Sequence, residues 1–173
     1  MKRLLLFVLI CSSFASFGQT SDFPVGARSA GMANASVCLT DIWAVHHNQA
    51  ALAGLDQAGV AAYYENRFLI SNLNLQGATA VLPTPKAGTF GLSYSLFGNN
   101  LYNQSRYGLS YGMRLWKFLS VGVQISYLNT HIAENYGDRH SFIAEIGILS
   151  PITPKLSAGF HAFHLTRTRL ADA

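Results

Sequence analysis

From about residue 58 onward the chain alternates, with apolar residues at every second position and small or polar ones between them. Leu119, Val121, Val123, Ile125 and Tyr127 alternate with Ser120, Gly122, Gln124 and Ser126. Tyr107, Leu109, Tyr111, Met113 and Leu115 alternate with Gly108, Ser110, Gly112 and Arg114, and Phe90 to Leu96 repeats the scheme. A period of two puts successive side chains on opposite faces of a strand. The pattern predicts seven strands, at 58–70, 75–83, 87–97, 105–116, 118–129, 141–150 and 155–166.

One face of each ribbon is therefore continuously apolar and the other small and polar. A soluble sandwich alternates with its apolar face inward. A membrane barrel alternates with that face toward lipid. The runs are long, matching the ~9–11 residues that cross a bilayer at a tilt rather than the ~5–6 of a usual globular strand. Aromatics also gather near strand ends, at Tyr63, Tyr64, Phe97, Tyr102, Trp116, Phe118, Tyr127 and Tyr136, where an interfacial girdle would lie. The turns at 83–86, 116–117 and 151–155 each hold one Lys, while the connections at 98–104 and 129–139 read as longer and rich in Asn, Tyr and Gly. Short turns on one side and longer loops on the other are the habit of outer-membrane barrels. The expected fold is all-β, a transmembrane antiparallel meander barrel.

Residues 19–57 have another character. Gly26 to Ser36 is rich in small residues suited to tight turns and close backbone packing. Asp41 is placed to cap a short helix through Ile42, Trp43, Val45, Ala50 and Leu52, stopped at Gly54. A compact, plug-like segment is expected there, ahead of a barrel portion at 58–173. Residues 1–18 read as an export leader: Lys2 and Arg3, an apolar run from Leu4 to Ile10, and small residues before a cut near Gly18. A lipoprotein leader ending at Cys11 is the rival, disfavoured by the bulk of Ile10. Cleavage at Gly18 would leave Cys38 without a disulfide partner.

Composition agrees with this picture. Half of the residues are hydrophobic, only 12% are charged and 12% are aromatic. Without Lys2 and Arg3 the charge balance falls to ten basic against eight acidic residues, and no basic stripe suggests nucleic acid. An odd strand count leaves two open edges, which lipid does not tolerate. A truncated portion of a larger barrel is the expectation, with a miscounted eight-stranded barrel as the alternative.

The run Gly26-Ala-Arg-Ser-Ala-Gly-Met-Ala-Asn-Ala-Ser-Val-Cys-Leu-Thr-Asp41, followed by Trp43 to Leu55, resembles the N-terminal signature of PorV/PorQ-type proteins of the FadL-like barrel superfamily. Gly26, Arg28, Gly31, Met32, Ala35, Asp41, Asn48, Ala50 and Leu52 fall on that signature, while Ala33 stands where Gly is usual and Gln49 where Pro is. Gln49 frees a backbone φ and restores a donor. The resemblance implies a barrel of about fourteen strands in the bacterial outer membrane, of which this chain supplies half, with Gly26, Arg28, Gly31, Asp41 and Asn48 in a hatch. It implies a role in type IX secretion or cargo anchoring, with outer-membrane lipid, secretion-system proteins or exported cargo as partners. The wider superfamily offers the alternative of a channel for small hydrophobic compounds. A soluble secreted β-sandwich adhesin remains a third reading of the residues.

Candidate chemistry is thin. His46 and His47 are adjacent, and His161 and His164 are three apart on an expected strand, so neither pair has chelating geometry. Ser126, His131 and Glu134 can be drawn as a hydrolytic set, but Ser recurs on the whole polar face. No enzyme activity, metal or cofactor is expected. Arg114 and Glu145 fall on lumen-facing positions and are expected to pair there.

Overall fold

The computed structural model describes residues 24–66, 69–70, 73–133 and 137–166. The expected leader, Glu134, Tyr136 and the stretch 167–173 lie outside them. Among the described residues the chain forms one seven-stranded antiparallel sheet in simple sequence order, curled into a half-barrel. The strands are β1 (Gly59–Asn66), β2 (Asn74–Thr84), β3 (Gly88–Gly98), β4 (Tyr102–Trp116), β5 (Leu119–Ile132), β6 (Gly137–Thr153) and β7 (Leu156–Ala162). Ahead of them come two short helices, α1 (Ala27–Gly31) and α2 (Ala44–His47), and a 3-10 turn at Gln49–Gly54.

All seven expected strands form; β2, β4, β5 and β6 are longer than the alternation indicated, and β1 and β7 shorter. The polar ends of β4, β5 and β6 stay paired, with Asn103 opposite His131 and His131 opposite Asp138. Backbone hydrogen bonding does not need apolar side chains, so the ladder continues past the apolar run. The expected loop at 98–104 therefore shrinks to 99–101, no longer than the 85–87 turn. The contrast between short turns and long loops is weaker than expected. Lys86, Lys117 and Lys155 do share the turn end of the sheet.

The faces sort by parity, and most large apolar side chains of the sheet lie on the exposed face, with Leu75, Val81, Leu128, Ile143 and Leu149 buried on the inner one. Leu109 and Ile125 are 61% and 64% exposed, whereas Gln124 and Ser126 are 1% and 0% exposed. A soluble β-protein buries the opposite set. The buried side is covered by residues 24–55: Ala44, Val45, Ala50, Ala51 and Leu52 form a small core with Val81 and Leu149 of the sheet.

Cross-strand register explains how an irregular segment fits against a sheet. Gly112, Gly122 and Gly147 face one another in a single row across β4, β5 and β6. A Cβ at Gly122 would overlap the backbone of Gln49 and Ala50, one at Gly112 would overlap Gln49 O, and one at Gly147 would overlap Asn48 Oδ1. The row is a bare strip of wall, and the 3-10 turn lies on it.

On the outward face a second row crosses the sheet: Tyr94, Tyr107, Tyr127 and Phe142, with ring centroids 5.1, 6.4 and 5.4 Å apart. Beyond it the outward positions turn polar, with Asn103, His131 and Asp138 in one row. At the turn end Trp116 stacks on Phe118, centroids 6.1 Å apart. Between these borders the outward residues of β5 are Leu119, Val121, Val123 and Ile125. Tyr63 departs from the expected girdle. It faces inward and meets Trp43 edge-on at 5.9 Å.

Candidate functional site

The inward face gathers the buried polar groups of the molecule under the N-terminal segment. Glu145 lies one row from the glycine strip, opposite Gln124, which is opposite Ser110. Its carboxylate is fully buried and forms an ion pair with Arg106. Ser126 Oγ donates to Glu145 Oε1 at 3.1 Å, and His161 Nε2 lies 3.2 Å from Oε2. Arg106 Nε donates to Ser126 Oγ at 3.3 Å, and its guanidinium sits 5.1 Å from the centre of the Phe163 ring. Gln124 completes the set when its amide nitrogen faces Val45 O, at 2.7 Å, and its oxygen faces Arg106 Nη2, at 3.0 Å. Buried charges persist only when paired and hydrogen-bonded, and this pair is both.

The expected partner of Glu145 was Arg114, and the structure corrects this. Arg106 and Arg114 both lie four residues along β4 from Ser110, one on each side. The glycine strip and the turn seated on it lie on the Arg114 side. Arg114 instead donates to Ala53 O at 3.5 Å, at the exposed end of the sheet. On the Arg106 side the inward row carries Ser126, whose hydroxyl bridges Arg106 and Glu145.

The segment reaches this cluster through two adjacent residues. Asn48 is fully buried, and its Nδ2 donates to Val37 O at 2.7 Å and to Ile148 O of β6 at 3.1 Å. Its Oδ1 accepts from Ala50 N at 3.1 Å, capping the 3-10 turn. These bonds hold Asn48 extended, at φ −162°. The single helix expected from Asp41 to Gly54 is therefore split in two at this residue. Gln49 follows, and its Nε2 donates to Val45 O at 3.1 Å and reaches Glu145 Oε2 at 3.4 Å. A Pro at this position would have no side-chain donor to send there.

The other signature residues serve the segment itself. Gly26 adopts φ 105°, and a Cβ there would press on the Trp43 ring. Asp41 Oδ1 accepts from Trp43 N at 2.9 Å, making a turn just ahead of α2. Arg28 pairs with Asp41 at 3.7 Å but is largely exposed, so the pair contributes at most about 1 kcal/mol. Gly31 meets nothing that a Cβ would disturb.

Histidines take separate roles. His46 is buried beside the cluster, and burial, with help from Arg106 and His47, pushes its pKa from 6.5 down to about 3. His47 Nε2 lies 2.8 Å from Val25 O. His131 faces outward against Asp138 Oδ1 at 2.5 Å, whereas Ser126 faces inward, so these two members of the hydrolytic set sit on opposite sides of the wall. Among the described residues no group of three His, Cys, Asp or Glu side chains is placed to hold a metal ion. Cys38 is a free thiol facing Ser157 O at 3.6 Å. The residues that sequence reasoning missed are Arg106, Gln49, Gln124 and His161. The inward parity of the three on strands was readable, whereas Gln49 lies in the 3-10 turn, and which of them meet depends on register.

The arrangement can do one thing well: it ties a short N-terminal segment to the inside of a curved wall through buried polar contacts. Comparison of the chain with protein-family models, curated proteins and solved structures found no match.

Proposed function

We propose that this chain forms part of the wall of a bacterial outer-membrane β-barrel, with residues 24–55 seated as a plug on the lumen side. The observation that carries the reading is the inverted burial: an outward face of exposed Leu, Ile, Val and Tyr, and an inward face where Gly, Ser, Gln and a buried ion pair share the wall with a few apolar side chains such as Leu75 and Ile143. In water an exposed face of this size would associate or aggregate. In a bilayer it is the lipid contact, and the Tyr row and the Trp116–Phe118 stack mark its borders. No helix among the described residues is long and apolar enough to cross a membrane, so the strands would have to do it.

Within that reading we favour a non-enzymatic role of the PorV/PorQ kind, in protein secretion or cargo anchoring, over a channel for hydrophobic compounds. The inner face carries the buried ion pair and is covered by the plug, whose small apolar core closes against Val81 and Leu149. One feature speaks for the channel: an apolar hollow of about 910 Å³ on the outward face, over Ala62, Ala78 and Ala80. Deleting the gene and following exported cargo against uptake of a hydrophobic probe separates the two.

The membrane assignment is tested with single-tryptophan variants in vesicles of brominated lipid. Trp116 is expected to be quenched and Trp43, packed between Tyr63 and His46, to be protected. A chain that stays soluble without detergent, with neither residue quenched, would mean a sandwich or adhesin instead.

A further inference from the structure

Above the aromatic row, on the outward face, lies a groove of about 530 Å³ between β2, β3 and β4. Its lining differs from the apolar belt below. Cross-strand register puts Asn74, Gly98 and Asn103 in one row and Gln76, Leu96 and Ser105 in the next. Asn99 and Asn100 close the rim, Tyr94 lies at the base, and among the described residues no acidic or basic side chain lines it. Gly98 adopts φ 113°, and a Cβ there would overlap Tyr102 O, so the floor between Asn74 and Asn103 is bare backbone. The walls are held in place. Gln76 Nε2 donates to Asn74 Oδ1 at 3.1 Å, Asn103 Nδ2 donates to Asn99 O at 3.3 Å, and Asn99 Oδ1 accepts from Leu101 N and Tyr102 N at 2.8 and 2.9 Å.

We propose that this groove binds a neutral saccharide. A sugar presents neighbouring hydroxyls that both donate and accept, and a carboxamide does the same with its NH2 and its carbonyl. Phosphate or carboxylate ligands call for Arg or Lys, which are absent from the described residues of the lining. The C–H face of a pyranose is apolar and suits the Tyr94 ring and Leu96 beside the amides. The volume falls in the ~300–1,000 Å³ range of small-molecule sites. Saccharide binding stands on the groove alone. Its natural source is either a free oligosaccharide or the glycan of a membrane glycolipid. The second source rests on the outer-membrane reading, which places the groove at headgroup height.

The test uses the full chain folded in an amine-oxide detergent, since glycoside detergents would compete. Diacetylchitobiose and maltose are titrated by calorimetry, and lipid nanodiscs with and without lipopolysaccharide are compared. Saturable binding is expected, weakened about tenfold by Asn74→Leu or Asn103→Leu, with Leu109→Val on the belt as the unaffected control. Circular dichroism and heat-shifted gel mobility check that each variant folds. Binding of soluble sugars assigns a free-saccharide site, and binding of lipopolysaccharide alone assigns the glycolipid. No binding of either, or full binding by both folded Asn variants, overturns the proposal. A chain that needs no detergent but still binds sugar would refute the membrane reading and leave the groove standing.

Discussion

On β5, Ser120, Gly122, Gln124 and Ser126 look inward, while Val121, Val123, Ile125 and Tyr127 look outward. The two sets share one backbone yet meet different kinds of surroundings. Inward, the wall meets Gln49 and Ala50 backbone to backbone, and polar atoms find fixed partners. Outward, one apolar side chain would serve nearly as well as another. The inward face thus specifies which segment docks and in what register. The outward face specifies only the medium the sheet can occupy.

Four substitutions or conditions probe that division. Glu145→Leu should have the largest effect, because it takes away the carboxylate that faces the buried Arg106 guanidinium, at a cost of about 3–5 kcal/mol. Urea unfolding in vesicles measures it, and adding Arg106→Met should restore much of the loss. An unchanged midpoint in the single variant would mean that the pair contributes nothing. Ile125→Arg on the outward face comes next. At a bilayer midplane it should cost about 2–4 kcal/mol, whereas at a water-facing site it would be nearly neutral. A neutral outcome would remove lipid from the outward face.

Gly122→Val should cost about 1–3 kcal/mol by overpacking, and limited proteolysis should cut residues 24–55 faster than in the parent chain. Equal protection would show that the turn does not depend on a bare wall. The smallest effect at neutral pH concerns His46. Its folded-state pKa is lowered, so the unfolded chain binds the extra proton between about pH 3 and 6.5. Stability should therefore fall as pH drops below about 6.5 and remain flat above it. His46→Gln should remove that slope, and a slope that survives would belong to another group.

The strands were legible because alternation is a local property of the chain. The same information, read with strand length, also indicated which face would be exposed. The split at Asn48 was not legible, because its cause is the carbonyl of Ile148, a hundred residues away. The choice of Arg106 over Arg114 was hidden for a similar reason. Both have inward parity, and only the register of three strands and the seat of the 3-10 turn distinguish them. The length of the loops was misjudged because polar residues such as Asn129, Thr130 and His131 read as connection but remain paired. Asp41 was read as a helix cap and makes a turn just ahead of α2, while the reach of Asn48 into the sheet was not visible.

The glycine strip has a further consequence. Its recognition of the docked turn depends on missing carbons, so it senses the path of the visiting main chain more than the identity of its residues. A free peptide copying Val45 to Leu55, with Asn48 and Gln49 kept for their contacts to the wall, should then compete for the berth. Selectivity made by omission cannot be tuned gradually, since the first methyl added already closes the door.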